Sequence, residues 1–216
     1  MKAIAPITAS VLLAAGIFGI STANAASVSY FLNQSNNLAD GTNYLKVTIS
    51  DGTGGLIDFK IETLSSLNSI AGSNFGMQLF DFNTALATLP PDSAIVNLPS
   101  GWNGNVKPPT NPADGFGKFE FDVSDGGNNR LSVLTFSVNV AGDSINDYYD
   151  LSSGSAIQGN VQFAAKVVGF TTQSCTSGPC TGAFFGGGTA VLLPAAIWLF
   201  GSGMMGIAAL ARKNPG

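Results

Sequence analysis

The chain is 216 residues long, contains no histidine, and carries 9 basic against 13 acidic side chains, for a net charge of −4. Three of its cations, Lys2, Arg212 and Lys213, sit at the two ends, so the stretch between them is more acidic than the whole. Such a body repels nucleic acid and anionic lipid, the missing imidazole removes the usual general base and the commonest zinc ligand, and the length allows one domain with a sizeable core.

Residues 1–25 read as an export signal. Lys2 is the positive start, Ile7 to Ile20 is a short apolar run, and Ala23-Asn24-Ala25 is a small-x-small cleavage site, so the mature chain is expected to begin at Ala26. A retained membrane helix is the alternative, but the apolar run is short for one.

The body has a period of two. Tyr44 to Ser50 alternates apolar and polar, Asp51 to Gly55 is a turn, and Ile57, Phe59 and Ile61 alternate with Asp58, Lys60 and Glu62. This predicts an antiparallel hairpin with one wet face, in a register that a one-residue slip would ruin. The pattern returns in Phe75–Phe82, in Phe119, Phe121 and Val123, in Leu134 to Val140, and in Val161 to Val167. Phenylalanine dominates the inward positions, as expected where two sheets bury their facing sides. The expected fold is all-β, an antiparallel β-sandwich of jelly-roll type over residues 26–183.

Residues 83–118 are less regular. Pro90, Pro91, Pro99, Pro108, Pro109 and Pro112 exclude long helices and central strands. The segment reads as a long surface excursion with one edge strand around Ala94 to Leu98. Trp102 is its one tryptophan. It either caps the end of the sandwich or stands exposed as a stacking platform for sugar rings.

Asp122, Asp125, Asn128 and Asn129 gather oxygen donors beside a Gly-Gly turn, as calcium sites do. Their spacing matches neither an EF-hand nor a nonapeptide repeat, and ordinary hairpin-turn chemistry is the plainer reading. Asp143, Asp147 and Asp150 read as a solvated acidic loop, with Tyr148 and Tyr149 able to pack under the end of the sandwich. No serine lies in a Gly-x-Ser-x-Gly elbow, and no carboxylate pair stands out for glycoside hydrolysis. Asn33-Gln34-Ser35 is a formal glycosylation sequon. Cys175 and Cys180 in an exported chain predict a local disulfide that stiffens one hairpin tip. Two thiolates without histidine leave zinc half-ligated. Residues 184–190, rich in glycine, read as a flexible tether.

From Val191 to Ala211 no residue is charged, and Arg212 and Lys213 follow at once. Such a helix spans a hydrocarbon core of about 30 Å, and the basic pair holds its end on the cytoplasmic side. Val191, Leu192, Leu193, Pro194 and Ala195, then Ile197 to Gly203, then the basic pair, resemble the PEP-CTERM sorting signal in its Val-Pro-Leu-Pro-Ala variant. Leu193, Pro194 and Ala195 match its last three positions, and Leu192 stands where the variant has its first proline.

The resemblance implies export by the Sec machinery and a transient stay in the inner membrane. It also implies recognition of residues 191–195 by an exosortase, followed by delivery to the surface or exopolysaccharide matrix of a Gram-negative bacterium. A permanent C-terminal anchor, which needs no motif, is the alternative; a GPI signal would need a polar spacer that the tail lacks. The expected role is that of a non-enzymatic surface or matrix protein without a cofactor. The runner-up is a carbohydrate-binding module that uses Trp102.

Overall fold

A computed structural model of the chain describes residues 26–175 and 178–191. Ten strands form it: β1 (Ser27–Ser35), β2 (Leu45–Asp51), β3 (Ile57–Thr63), β4 (Ala71–Phe82), β5 (Ile95–Val96), β6 (Asn103–Ala113), β7 (Gly117–Ser124), β8 (Val133–Val138), β9 (Phe163–Cys175) and β10 (Gly178–Val191). One short helix, α1 (Ser65–Asn68), joins β3 to β4. Among the described residues every strand pairing is antiparallel. The all-β antiparallel reading therefore holds.

The two facing sheets of the expected sandwich are the two halves of a single continuous sheet. Its order is β5-β8-β3-β2-β1-β10-β9-β4-β7-β6. Four strands separate β3 from β4 in that order, yet Phe59 on β3 lies 4.8 Å from Phe82 on β4, ring centre to ring centre. The sheet has therefore curled until its ends face each other. A backbone bridge between Met77 of β4 and Leu131, just ahead of β8, ties the two halves. At the other rim, the Val106 N–H of β6 donates to Asp92 Oδ1 beside β5, at 2.6 Å. The result is nearly a barrel.

The period-two pattern explains the main core. Leu45, Val47 and Ile49 of β2, Phe59 and Ile61 of β3, and Phe121 and Val123 of β7 are buried at one face of their strands. Phe59, Phe80, Phe82, Phe121, Phe136 and Tyr148 form a continuous set of stacked and edge-on rings. Such aromatic pairs add about 0.5–1.5 kcal/mol each beyond simple burial.

Two expectations fail here. Residues 83–118 are a loop only as far as Trp102. The edge strand near Ala94 exists as β5, but residues 103–113 form β6, the opposite edge of the sheet. Proline lacks an N–H, and an edge strand can leave that side unpaired, so Pro108, Pro109 and Pro112 are tolerated there.

Residues 184–190 are not a tether. They are the second half of β10, paired with β1 on one side and, through Gly187, with β9 on the other. Their glycines answer to crowding. A Cβ on Gly186 would lie 2.4 Å from the Phe116 ring, and one on Gly187 2.5 Å from the Phe31 carbonyl oxygen. The folded body thus runs at least to Val191 rather than ending at residue 183.

Candidate functional site

The β6–β7 hairpin builds the most unusual part of the molecule. Between Val106 and Asn111 of β6 the register with β7 shifts by several residues. A bulge of this kind bends the strand pair. Phe121 then faces the main core, while Phe119 joins a second cluster with Ala113, Phe116, Val161 and Ala164. The hairpin end therefore lies as a flap across the outer face of the sheet, with Phe116 seated on Gly186.

One cross-strand row passes beneath and beside this flap: Gln34, Gly186, Ala164, Asp81, Asp122 and Asn105 on six neighbouring strands. Residues directly opposite on paired strands share a face. Asp81 lies between the inward Phe80 and Phe82, so its carboxylate points outward, and it stands opposite Ala164, on which the flap packs. It is 1% exposed, and neither of its oxygens has a hydrogen-bond partner. Burial drives its carboxyl well above the usual carboxylate range. Asp122 adds to that rise, and Lys107 opposes it.

Beside the flap the outer face is open. Lys166 of β9 sets its ammonium 5.8 Å from the centre of the Phe184 ring on β10, within the range of a cation–π contact. Troughs of about 510 and 260 Å³ flank this pair; Asn36, Asn37 and Asp114 line the first, Gln78 and Ser124 the second. Asn36 spans the wall: its Nδ2 donates to Asp114 Oδ2 and its Oδ1 accepts from the Phe184 N–H. Such a surface offers an ammonium, amides and a half-buried ring.

A third trough, about 380 Å³, lies over β2, β3 and β8. In its wall the Ser137 hydroxyl donates to Asp58 Oδ1 at 2.7 Å and accepts from Asn97 Nδ2. The hydroxyl is held from both sides, and no imidazole exists to activate it.

Trp102 is buried, at 5% exposure, and its Nε1 donates to the Asn129 carbonyl. It caps the barrel end and offers no face to a sugar, so the stacking-platform reading is withdrawn. Asp122 and Asp125 are not brought together as calcium ligands. Asp125 turns back on its own loop, accepting from the Gly127 and Asn129 N–H groups at 2.5 and 2.8 Å. One oxygen of Asp122 is buried without a partner.

In the acidic loop, the Tyr148 hydroxyl donates to Asp143 Oδ2 at 2.6 Å. Burial raises the tyrosine's pKa first, and the Asp143 contact raises it further. Burial also lifts Asp143 above its ordinary value, against the Tyr148 hydrogen bond. The sequon's Ser35 hydroxyl is occupied, donating to the Phe184 carbonyl.

Backbone pairing sets Cys175 opposite Gly178 and Cys180 opposite Gln173, near the β9–β10 tip. No cysteine among the described residues is free, and the side chain of Cys175 lies outside them. Ala26 is described, but Ala23 and Ala25, Leu192, Leu193, Pro194 and Ala195, and Arg212 and Lys213 all lie outside the described residues. Among the described residues no helix is long and apolar enough to cross a membrane; beyond Val191 the expected span at 191–211 lies outside them.

Sequence reasoning missed Asp81, Lys166 and Phe184. In Phe80-Asp81-Phe82 the aspartate has the look of any wet-face residue, and only the distant hairpin that covers it marks it out. No protein-family model, no curated protein and no solved structure matches the chain.

Proposed function

We propose that the chain is an exported precursor sorted by an exosortase, whose β-sandwich-like body of jelly-roll type acts without catalysis at the surface or in the exopolysaccharide matrix of a Gram-negative bacterium. The junction at Val191 carries the reading. Among the described residues the last strand of the sheet reaches Val191, which is also the first residue of the sorting motif. Val191 itself pairs with the backbone of Ser29, so the motif of residues 191–195 follows the folded body directly in the sequence.

The other end supports the same reading. The Ala26 N–H donates to Asp51 Oδ2 at 3.1 Å, and the Ala26 carbonyl accepts from the Asp51 N–H. Cleavage after Ala25 would turn that amide into an ammonium already facing a carboxylate. In the oxidising space outside the cytoplasm, a Cys175–Cys180 disulfide would close the β9–β10 tip.

Intact-mass measurement of protein from its native host tests the proposal. The expected species starts at Ala26, ends at or before Ala196 and lacks two thiol hydrogens. A C-terminus beyond Ala196 overturns the sorting step. The carbohydrate-binding reading keeps only the Lys166–Phe184 trough as its locus. Glycan-array binding that Lys166→Ala abolishes would establish it.

A further inference from the structure

The row beneath the flap holds three carboxylate oxygens that are buried and unpartnered: both of Asp81 and Oδ1 of Asp122. The two side chains sit directly opposite each other on β4 and β7, a placement that brings Cβ atoms to about 4.5–5.5 Å. Two like charges there, with Asp81 fully buried and Asp122 half-buried, repel. A divalent metal would ask for about six to eight oxygens, and three are free. A proton needs only one bond, from a neutral carboxyl to its neighbour.

We propose that Asp81 is a proton-operated catch for the β6–β7 flap. With a proton held between Asp81 and Asp122, the O–H of one carboxyl donates to the other carboxylate and the hairpin end lies closed on Ala164 and Gly186. When that proton leaves to solvent, a buried charge on Asp81 remains beside the Asp122 carboxylate, and the flap lifts to admit water.

The surroundings of Asp81 set where this happens. Asp122 of β7 favours holding the proton, and Lys107 of β6 opposes it. Glu120, two residues along β7, is committed to the Thr84 N–H, and Asp114 in the flap turn to Asn36. Lys166, two residues along β9 from Ala164, is drawn over Phe184. Gly186 and Gln34, the row's members on β10 and β1, do not titrate. Phe116 supplies the apolar grip that the flap must release.

Amide hydrogen exchange on the full chain in detergent micelles, followed against pH, is the test. After correction for intrinsic exchange, the amides of residues 113–119 should open about tenfold more readily for each pH unit above the transition, the slope of a single linked proton. Asp81→Asn should leave the flap closed at every pH. Asp122→Asn should move the transition to lower pH, and Lys107→Met should move it to higher pH. Flap protection that does not depend on pH, or an Asp81→Asn chain with the wild-type pH profile, overturns the proposal. Lys107 is exposed, so Lys107→Met decides even where the aspartate variants fail to fold: a transition that stays put, or moves down, also overturns it.

Discussion

The β2–β3 and β6–β7 hairpins use the same alphabet and end differently. In β2–β3 the register runs unbroken from Leu45 opposite Thr63 to Asp51 opposite Ile57. One face enters the core, and the other carries Lys46, Lys60 and Glu62. In β6–β7 the alternation is equally clean on β7, but the register breaks opposite it. Phe121 and Phe119, two residues apart, serve separate clusters. Alternation in a sequence assigns residues to faces; it does not say that a face keeps the same neighbour along its length. A bulge on the partner strand can hand one face from one core to another.

The largest effect that separates the two hairpins should come from Phe116, fully buried on the outer face. Phe116→Ala removes the flap's anchor and should weaken flap closure by about 3–5 kcal/mol, the usual loss for a buried phenylalanine. Hydrogen exchange should show it as lost protection at residues 113–119, with the β2–β3 amides unchanged. If β2–β3 loosens equally, the two clusters are one cooperative unit and the contrast fails. The reciprocal change, Gly186→Ala, sets a methyl 2.4 Å from the Phe116 ring. It should lower stability by about 3 kcal/mol in urea unfolding, the upper part of the range for overpacking.

Much of the main barrel could be read in advance. The β2–β3 hairpin, the strand in Phe75–Phe82, the inward face of β7, the edge strand at Ile95–Val96 and the buried alternative for Trp102 all followed from local patterns. What escaped depended on distant partners. Strand β1, where Tyr30 and Leu32 are the only buried apolar residues between β2 and β10, is too polar to announce itself. The glycines of 186–188 looked flexible because the ring that forbids a side chain at Gly186 belongs to a residue 70 positions earlier. Asp81 looked solvated because its lid is built from the proline-marked segment that no local rule makes a strand. The curling of one sheet in place of two follows from accumulated twist and bulges, which a single strand's pattern does not encode.

Asp81 gives the next contrast, in pH rather than packing. Its folded carboxyl holds a proton more tightly than the unfolded chain does. That contribution to stability is therefore complete below the ordinary carboxylate range and disappears as pH rises through the folded value. Asp81→Asn, neutral at every pH and able to donate to Asp122, should unfold harder than wild type by a margin that grows as pH rises above the ordinary carboxylate range, reaching about 2 kcal/mol once the buried aspartate is charged. The difference should vanish, or reverse, at pH 4. A wild-type chain that is no less stable at pH 8 than at pH 5, relative to Asp81→Asn, contradicts this. A smaller effect belongs to Asp125. Its two backbone hydrogen bonds shape the turn whose Asn129 carbonyl receives the Trp102 indole N–H. Asp125→Ala should lose about 1 kcal/mol, because the freed N–H groups can reach water, and should shift Trp102 fluorescence.

The smallest effect tests the wet face of β2–β3. Lys60 and Glu62 sit two apart on β3, and their charged atoms approach to 2.7 Å, yet the lysine side chain is half exposed. Water screens such a pair, and fixing two long side chains in one geometry costs entropy. Lys60→Ala should therefore change urea stability by less than about 0.5 kcal/mol, far less than any change under the flap. The reason lies in the partner rather than in the charge. On β3 an aspartate, a lysine and a glutamate look out at solvent, so each can lose its neighbour and be compensated. On β4 the same alternation sets Asp81 beneath another part of the chain, where nothing compensates. A loss of 2 kcal/mol or more in Lys60→Ala would mean that the outer face of β2–β3 is covered too, and that the two hairpins differ less than their registers indicate.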